Sequence, residues 1–442
     1  MKIDSEFETH VALETPLLPA LAALMVVLQL VSPYRGWAII LIALGGALLS
    51  GYLWARSLAD GLRLRREMRF GWAQVGDRVE ERFTLVNTNP LPALWVEVVD
   101  GSTMPGYEID RVAAPGGDET RWRTRGTCRQ RGVFTLGPTS LLTGDPLGIF
   151  RVEVRYPTST PFVVMPPVVS LPSIEVASGG RSGEGRPRPN APQRTVSAAT
   201  VREYHPGDSP RWIHWRTSAR HDALYVRLFE GVPAGDWWIV LDMNRRVQAG
   251  EGLDATDEHG VILAASLADR GLRLGKQVGL VAQGEDLVWL RPGSGEGRRW
   301  EILQALALLR RGERSLSDLL TRMGPALGRC ASLILITPDP DTAWVESLVP
   351  LMRQDIVPTV LLLDRATFEA PMGAATGSGL EARRMGALLS ALGIVHHVID
   401  RDLLDRSDVA PGKRGHWEWR VLGTGHAVPV RKPQDAAWRA LS

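Results

Sequence analysis

Residues 237–242 read WWIVLD, and short, nearly all-apolar runs of the same kind follow it: QVGLVA at 277–282, LVWLR at 287–291, LILIT at 333–337, TVLLLD at 359–364 and IVHHVID at 394–400. Between them lie stretches with helical spacing, at 261–270, 300–311, 316–327, 344–352 and 380–392. Such strands, rich in β-branched residues and alternating with helices, predict a mostly parallel sheet covered on both faces, since a strand buried on both sides has no polar face to show. This α/β domain is assigned to 235–405, with 406–442 as a C-terminal extension.

Working toward the N-terminus, the pattern changes. Between 70 and 169 the runs VEERFTLVN, LWVEVVD, TRWRTRG, GVFTLGPTSLLTG, GIFRVEVRY and PFVVMPP are separated by Asn-Pro, Pro-Gly, Gly-Gly and Asp-Pro turns, with no helical period. Val79, Phe83 and Leu85 against Glu80, Arg82 and Thr84 show the two-residue repeat of a half-buried strand. An immunoglobulin-like β-sandwich is the natural solution for a module of this kind. Residues 170–200, with SGGRSGEGRPRPNAPQ at their centre, have too few apolar side chains to hold a fixed fold and read as a flexible loop or linker.

Nearer the start, Leu17–Val31 (LLPALAALMVVLQLV) and Trp37–Trp54 (WAIILIALGGALLSGYLW) carry no charged side chain. Two such runs joined by Ser32–Gly36 predict a transmembrane helical hairpin over 16–55, after a tail at 1–15, and so a lipid bilayer as partner. A signal peptide is the competing reading, but Asp4, Glu6 and Glu8 against Lys2 are the wrong charges for one. Arg56, Arg63, Arg65, Arg66 and Arg69 crowd the end of the second run while the turn carries only Arg35. The expected topology is therefore a two-span membrane protein with both termini and the soluble domains cytoplasmic.

Composition narrows the function. At 442 residues and 44% hydrophobic the chain can build two cores, and a net charge of +2 gives no reason to invoke nucleic acid. Trp212 and Trp215 stand among arginines, but the interleaved carboxylates would repel a phosphate backbone, so the two rings are assigned to packing. Cys128 and Cys330 are the only cysteines and fall in different predicted domains, which argues against a disulfide framework or a cysteine zinc site.

Residues 201–230, VREYHPGDSPRWIHWRTSARHDALYVRLFE, carry the densest pattern in the chain. Pro206-Gly207 makes a turn, Ser209 and Pro210 suit the start of a helix to about Arg220, and LYVRLFE reads as a strand. Arg202, Arg211, Arg216, Arg220 and Arg227 lie near Glu203, Asp208, Asp222 and Glu230, as an ion-pair network requires. The run R-x-Y-x-P-G-D, I-H-W-R-x-S-A-R, L-x-V-R-x-F-E resembles the signature of the bacterial Domain of Unknown Function 58 family, as does GPTSLLTGDPLGIF at 137–150. His214 stands where many members have Asp. The resemblance implies an α/β domain similar to von Willebrand factor A and a working partnership with a MoxR-type AAA+ ATPase. Arg202, Tyr204, Pro206, Gly207, Asp208, His214, Trp215, Arg216, Ser218, Ala219, Arg220, Arg227 and Glu230, within a segment at 201–234, are then signature or docking residues.

A von Willebrand A-type metal site needs D-x-S-x-S after its first strand, since a carboxylate and two hydroxyls supply hard oxygen ligands for Mg²⁺ or Ca²⁺. Here the positions are Asp242, Asn244 and Arg246: the hydroxyls are missing and a cation is added. Thr337 and Asp339, with Ser315 or Ser317, remain weak candidates, and the expectation is no cofactor. His214, His396 and His397 lack a partner at catalytic spacing, and Cys128 lacks an assisting histidine. No nucleotide-binding, zinc-protease or serine-hydrolase motif is present. The resulting expectation is a membrane-anchored, non-enzymatic scaffold or adaptor acting with the ATPase on a client protein. The alternatives are a metal-dependent ligand-binding domain and an unrecognised hydrolase.

Overall fold

Every second residue of Arg78–Asn87 is buried (Val79, Glu81, Phe83, Leu85 and Asn87), as the two-residue repeat requires. A carboxylate, Glu81, sits in that inward row among apolar neighbours. The computed structural model describes residues 7–68, 71–107, 109, 111–113, 119–171, 174–177, 198–204, 213–221, 223–229, 236–327, 331–369, 379–405, 418–421, 427–431 and 439–441. It divides into residues 1–167 with 414–442, and residues 168–413.

The first unit opens with β1 (Glu8–Leu13), α1 (Leu17–Val31) and α2 (Arg35–Gly61). It continues with β2 (Leu62–Met68), β3 (Trp72–Gln74), β4 (Arg78–Asn87), β5 (Val96–Asp100), β6 (Arg111–Ala113) and β7 (Glu119–Thr127). Then come β8 (Gly132–Leu136), β9 (Thr139–Gly144), β10 (Phe150–Tyr156) and β11 (Thr160–Met165). The strands form sheets in the orders β1-β10-β9-β5-β6 and β3-β11-β8, with β2, β4 and β7 adjacent in a third. Phe83, Leu85, Val98, Leu141, Val152 and Phe162 lie in one core, where Phe83 stacks on Trp122 at 5.3 Å between ring centroids.

Four boundaries differ from the sequence reading. Residues 8–13 are a strand paired antiparallel with β10, because β10 would otherwise leave an open edge. The second helix runs beyond 55 to Gly61, since Ala55, Leu58 and Ala59 fill the β-rich core. The arginine-rich flank after it is β2, whose alternation was masked by Arg66 in the inward row. Gly137-Pro138 splits the run at 132–144 into two strands. Among the described residues α2 is the helix long and apolar enough to cross a membrane, with a mean hydropathy of 2.0 in its best window; α1 is apolar but has 15 residues.

The second unit begins with the pair β12 (Ala198–Glu203) and β13 (Tyr225–Phe229), joined through α3 (Trp215–His221). There follow β14 (Trp237–Asp242), α4 (Thr256–Arg273), β15 (Val278–Gln283), β16 (Leu287–Gly293), α5 (Gly295–Leu308) and α6 (Leu316–Met323). Next are β17 (Ser332–Thr337), α7 (Ala343–Met352), β18 (Val357–Leu363), α8 (Arg365–Glu369), α9 (Leu380–Ala391) and β19 (Val395–Ile399). The six strands form a mixed sheet in the order β16-β15-β14-β17-β18-β19; only the edge strand β16 pairs antiparallel. Central strands β14 and β17 are buried at every position, which is why they read as unbroken apolar runs. The predicted helix at 316–327 stops at Met323, and a short 3₁₀ turn holding Pro325 follows.

Part of the predicted linker is packed. Leu171 and Ile174 are buried, Arg270 Nη1 donates to the carbonyls of Leu171 (3.1 Å) and Ile174 (2.6 Å), and Ala177 N–H donates to Thr359 Oγ1 at 2.9 Å. Its centre, SGGRSGEGRPRPNAPQ, lies outside the described residues. In the C-terminal extension β20 (Glu418–Val421) pairs with β21 (Ala427–Arg431), while β22 (Arg439–Leu441) pairs with β2 and so returns to the first unit.

Candidate functional site

In a sheet with this strand order the chain leaves β14 in one direction and returns through β17 on its other side, opening a crevice beyond their carboxyl ends. That switch point is where open α/β sheets bind ligands. Here it is marked by Asp242, the last residue of β14, and Thr337, the last of β17. Asp242 is 3% exposed; its Oδ2 accepts the Thr337 hydroxyl at 2.7 Å and its Oδ1 accepts Asn244 N–H at 3.0 Å. Burial pushes its carboxyl up to about 6, against the pull of those two bonds, and the nearby charge of Asp339 adds to the rise.

The loops are tied the same way. Asn244 Oδ1 accepts Arg246 N–H at 3.2 Å, Thr337 Oγ1 accepts Asp339 N–H at 3.0 Å, and Asp339 Oδ1 accepts Asp341 N–H at 2.9 Å. Gln248 Nε2 donates to the Asp242 carbonyl at 2.9 Å, and Thr256 Oγ1 donates to Gln248 Oε1 at 2.6 Å, fastening the loop to the first turn of α4. Asn244 bridges to Gly312, and Arg311 clamps Asp257 with two bonds of 2.8 and 2.7 Å.

The structure thus brings together Asp242, Asn244, Thr337 and Asp339. It also tests whether they suit a cation. Asp242 accepts with both oxygens, Asn244, Thr337 and Asp339 each accept a backbone N–H, and a divalent ion would have to displace the Thr337–Asp242 bond. Arranged so, the set does not fit a bound metal. Ser315 and Ser317 are 2.9 Å apart, and Ser315 caps α6 by accepting Asp318 N–H at 3.2 Å. Among the described residues no group of three or more His, Cys, Asp or Glu side chains is placed to hold a metal.

In the signature segment, Pro206, Gly207, Asp208 and Glu230 lie outside the described residues, as do Ser209, Pro210, Arg211, Trp212 and Asp222 of the expected helix start and ion-pair network. Arg202 and Arg227 fall in β12 and β13, and Tyr204 N–H donates to the Leu224 carbonyl at 2.7 Å. The described helix begins at Trp215, later than expected, and His214 provides its cap: Nδ1 accepts Thr217 N–H at 3.2 Å and lies 2.7 Å from Thr217 Oγ1. A ring nitrogen does here what the oxygen of Asp does at a helix start, which explains how His serves at this position. Ser218 ties α3 to β13 by donating to the His214 carbonyl and accepting Tyr225 N–H.

Trp215 corrects the sequence reading: its ring is 67% exposed and packs no core. Arg216, Ala219 and Arg220 are exposed beside it on the same helix. His396 and His397 sit on the edge strand β19 and contact main-chain oxygens of Ile394 and Glu175. Cys128 is buried, and burial, with the charge of Asp77, pushes its thiol up to about 12, the opposite of a nucleophile's environment. Cys330 lies outside the described residues. Asp364, which closes β18, had no assigned role; it accepts N–H groups of Ala366 and Gly379 and borders a cleft of about 340 Å³ with Pro338, Pro340, Arg365 and Glu381.

Fold and site define a protein with a β-rich unit, an apolar N-terminal helix and an α/β sheet whose polar cluster stands at the switch point. Residues 200–373, which span the signature and that cluster, match the family described as "Protein of unknown function DUF58". No curated protein matches. Among solved structures, the CARDB domain of the PF1109 protein from Pyrococcus furiosus aligns at 10% identity and a TM-score of 0.17, covering 24% of this chain and 90% of that one. A β-glucosidase from Listeria innocua aligns at 9% identity and a TM-score of 0.16, covering 23% of this chain and 16% of that one.

Proposed function

We propose that this chain is a membrane-anchored, non-enzymatic scaffold or adaptor that works with a MoxR-type AAA+ ATPase to assemble or activate a client protein. The observation that carries the reading is Trp215, an exposed aromatic on a capped helix with Arg216 and Arg220 beside it, inside the family segment. Tryptophan and arginine are the residue types that dominate binding hot spots. The switch-point cluster supports binding over turnover: the Thr337 hydroxyl and the Asp242 carboxylate satisfy each other and both are buried, out of reach of a substrate.

The strand order with its antiparallel edge supports a von Willebrand factor A-like domain, and the three sheets of the first unit support an immunoglobulin-like sandwich. Helices α1 and α2, separated only by Ser32–Tyr34, support a two-span hairpin, and the arginines after Trp54 support both ends being cytoplasmic. Of the arginines behind that orientation, Arg66 is engaged in the β-rich core and Arg56 pairs with Asp60 at 3.2 Å.

The test is purification of the full chain from host membranes, wild type against Trp215→Ala. The MoxR-type ATPase is expected to co-purify with the wild type and to be lost with the variant. Retention by both, or turnover of a substrate abolished by Asp242→Asn, overturns the reading. Reporter fusions after Ser442 and within Ser32–Gly36 read the orientation, and a C-terminal reporter active outside the cytoplasm reverses it.

A further inference from the structure

The GDPLG turn between β9 and β10 has no part in the scaffold reading, yet its own hydrogen bonds fix it closely. Asp145 is buried; its Oδ2 accepts Leu147 N–H at 2.9 Å, its Oδ1 accepts Phe150 N–H at 2.6 Å, and its carbonyl accepts Gly148 N–H at 3.1 Å. Gly148 sits at φ 67°, where a side chain is strained. All this order holds Leu147 outward, 58% exposed.

The turn lies at the foot of the two apolar helices. Thr15 Oγ1 donates to the Gly148 carbonyl at 3.0 Å and Glu14 N–H to the Ile149 carbonyl at 2.8 Å. On the other side, a Cβ at Gly51 of α2 would lie 3.2 Å from Asp145 Oδ2, and Tyr52 meets Phe150 edge-on at 5.7 Å. Trp95 is adjacent, with its ring 3.7 Å from where a Cβ on Gly144 would be.

Helix length explains why apolar groups gather there. The first buried residue of α2 is Gly51, so Arg35–Ser50 is the part free of the β-rich unit. At 1.5 Å per residue those sixteen residues extend about 24 Å, and the fifteen of α1 about 23 Å. The hydrocarbon layer is about 30 Å thick. α1 and the free part of α2 each fall short of it, and the remaining depth is supplied at their foot by the exposed Tyr52 and Leu53, which continue α2, and by Leu13, Trp95 and Leu147. Tyrosine and tryptophan are the residues that collect where chain meets headgroups.

We propose that this rim is a lipid-contacting surface: the Asp145–Gly148 turn inserts Leu147 into the interfacial layer of the bilayer beside the helices, seating the β-rich unit directly on the membrane. The inference rests on the membrane reading above. The test uses the full chain in lipid nanodiscs with Cys128→Ala and Cys330→Ala and one fluorescent label, at Leu147→Cys, Leu53→Cys, Ile42→Cys or Thr158→Cys. Ile42 is an exposed residue of α2, and Thr158 is exposed past the far end of β10. Lipids brominated near the headgroup should quench labels at Leu147 and Leu53, deep-brominated lipids should quench Ile42, and neither should quench Thr158. Quenching at Ile42 with none at Leu147 or Leu53 overturns this inference and leaves the membrane reading standing. No quenching at Ile42 overturns both.

Discussion

Two buried carboxylates, Glu81 of the β-rich unit and Asp242 of the α/β unit, are held in opposite ways. In the β-rich unit Arg66 Nε and Nη2 clamp Glu81 at 2.9 and 2.8 Å, Nη1 reaches Asp100 at 2.8 Å and Thr139 at 3.3 Å, and Nη2 reaches Ser102 at 3.2 Å. Tyr107 donates to Glu81 as well, and burial together with that carboxylate pushes its phenol well up. Burial works against the Arg66 charge, but the bonds to Glu81 and the fields of both carboxylates outweigh it, so its pKa is raised. In the α/β unit Asp242 is as deeply buried, but its two oxygens meet a hydroxyl and a backbone N–H instead of a cation. A closed ion network specifies how strands pack; a carboxylate held only by dipoles is left ready to change its protonation or its partner.

Breaking the network gives the largest effect. Arg66→Ala leaves Glu81 and Asp100 buried without their cation, and chemical denaturation should show a loss of about 3–5 kcal/mol in the β-rich unit. A cost within the range of a surface substitution would show that the network is solvated and the contrast false.

The pH response of the α/β unit comes next. The folded Asp242 carboxyl titrates at about 6 against an ordinary 3.8, so the folded state holds the proton more tightly. That contribution is fully present below pH 3.8 and is lost as pH rises through about 6, an effect of about 3 kcal/mol. Asp242→Asn should remove this slope in urea titrations run from pH 4 to 7. An unchanged slope would assign it elsewhere.

Thr337→Val sharpens the contrast by removing the hydroxyl that Asp242 accepts. We expect a destabilisation of about 1–3 kcal/mol, greater above pH 6 than below, where the carboxyl is neutral. The smallest change belongs to a residue outside both clusters: Trp215→Ala should alter unfolding free energy by no more than about 0.5 kcal/mol. A larger loss would mean that the ring is covered in solution.

What could be read from sequence follows the same division. The strands of the α/β sheet were legible because burial on both faces leaves unbroken apolar runs, as in WWIVLD and LILIT. The DUF58 signature was legible too, and 200–373 matches that family. Strand β2 was not: LRLRREM places Leu62, Leu64 and Met68 inward, but Arg66 in that row made the segment look like a basic membrane flank. Asp242 and Thr337 stand 95 residues apart, beyond any local pattern, and only the strand order brings them together. The exposure of Trp215 was hidden as well, since an aromatic in a motif reads the same whether it packs inward or faces solvent.

The pairing of β22 with β2 has a consequence for biosynthesis. Residues 168–413 are an insertion within the β-rich unit, so a ribosome delivers the entire α/β unit before Arg439–Leu441 can emerge. Until then the β2 edge is open to any extended strand, and a nascent chain waits with a template for mispairing next to its apolar helix. Domains fold as they are made, and closing the β-rich unit across the insertion carries an entropic cost that rises only slowly with the length of the intervening chain. Slow folding of the inserted unit would therefore surface first as aggregation through the β-rich one.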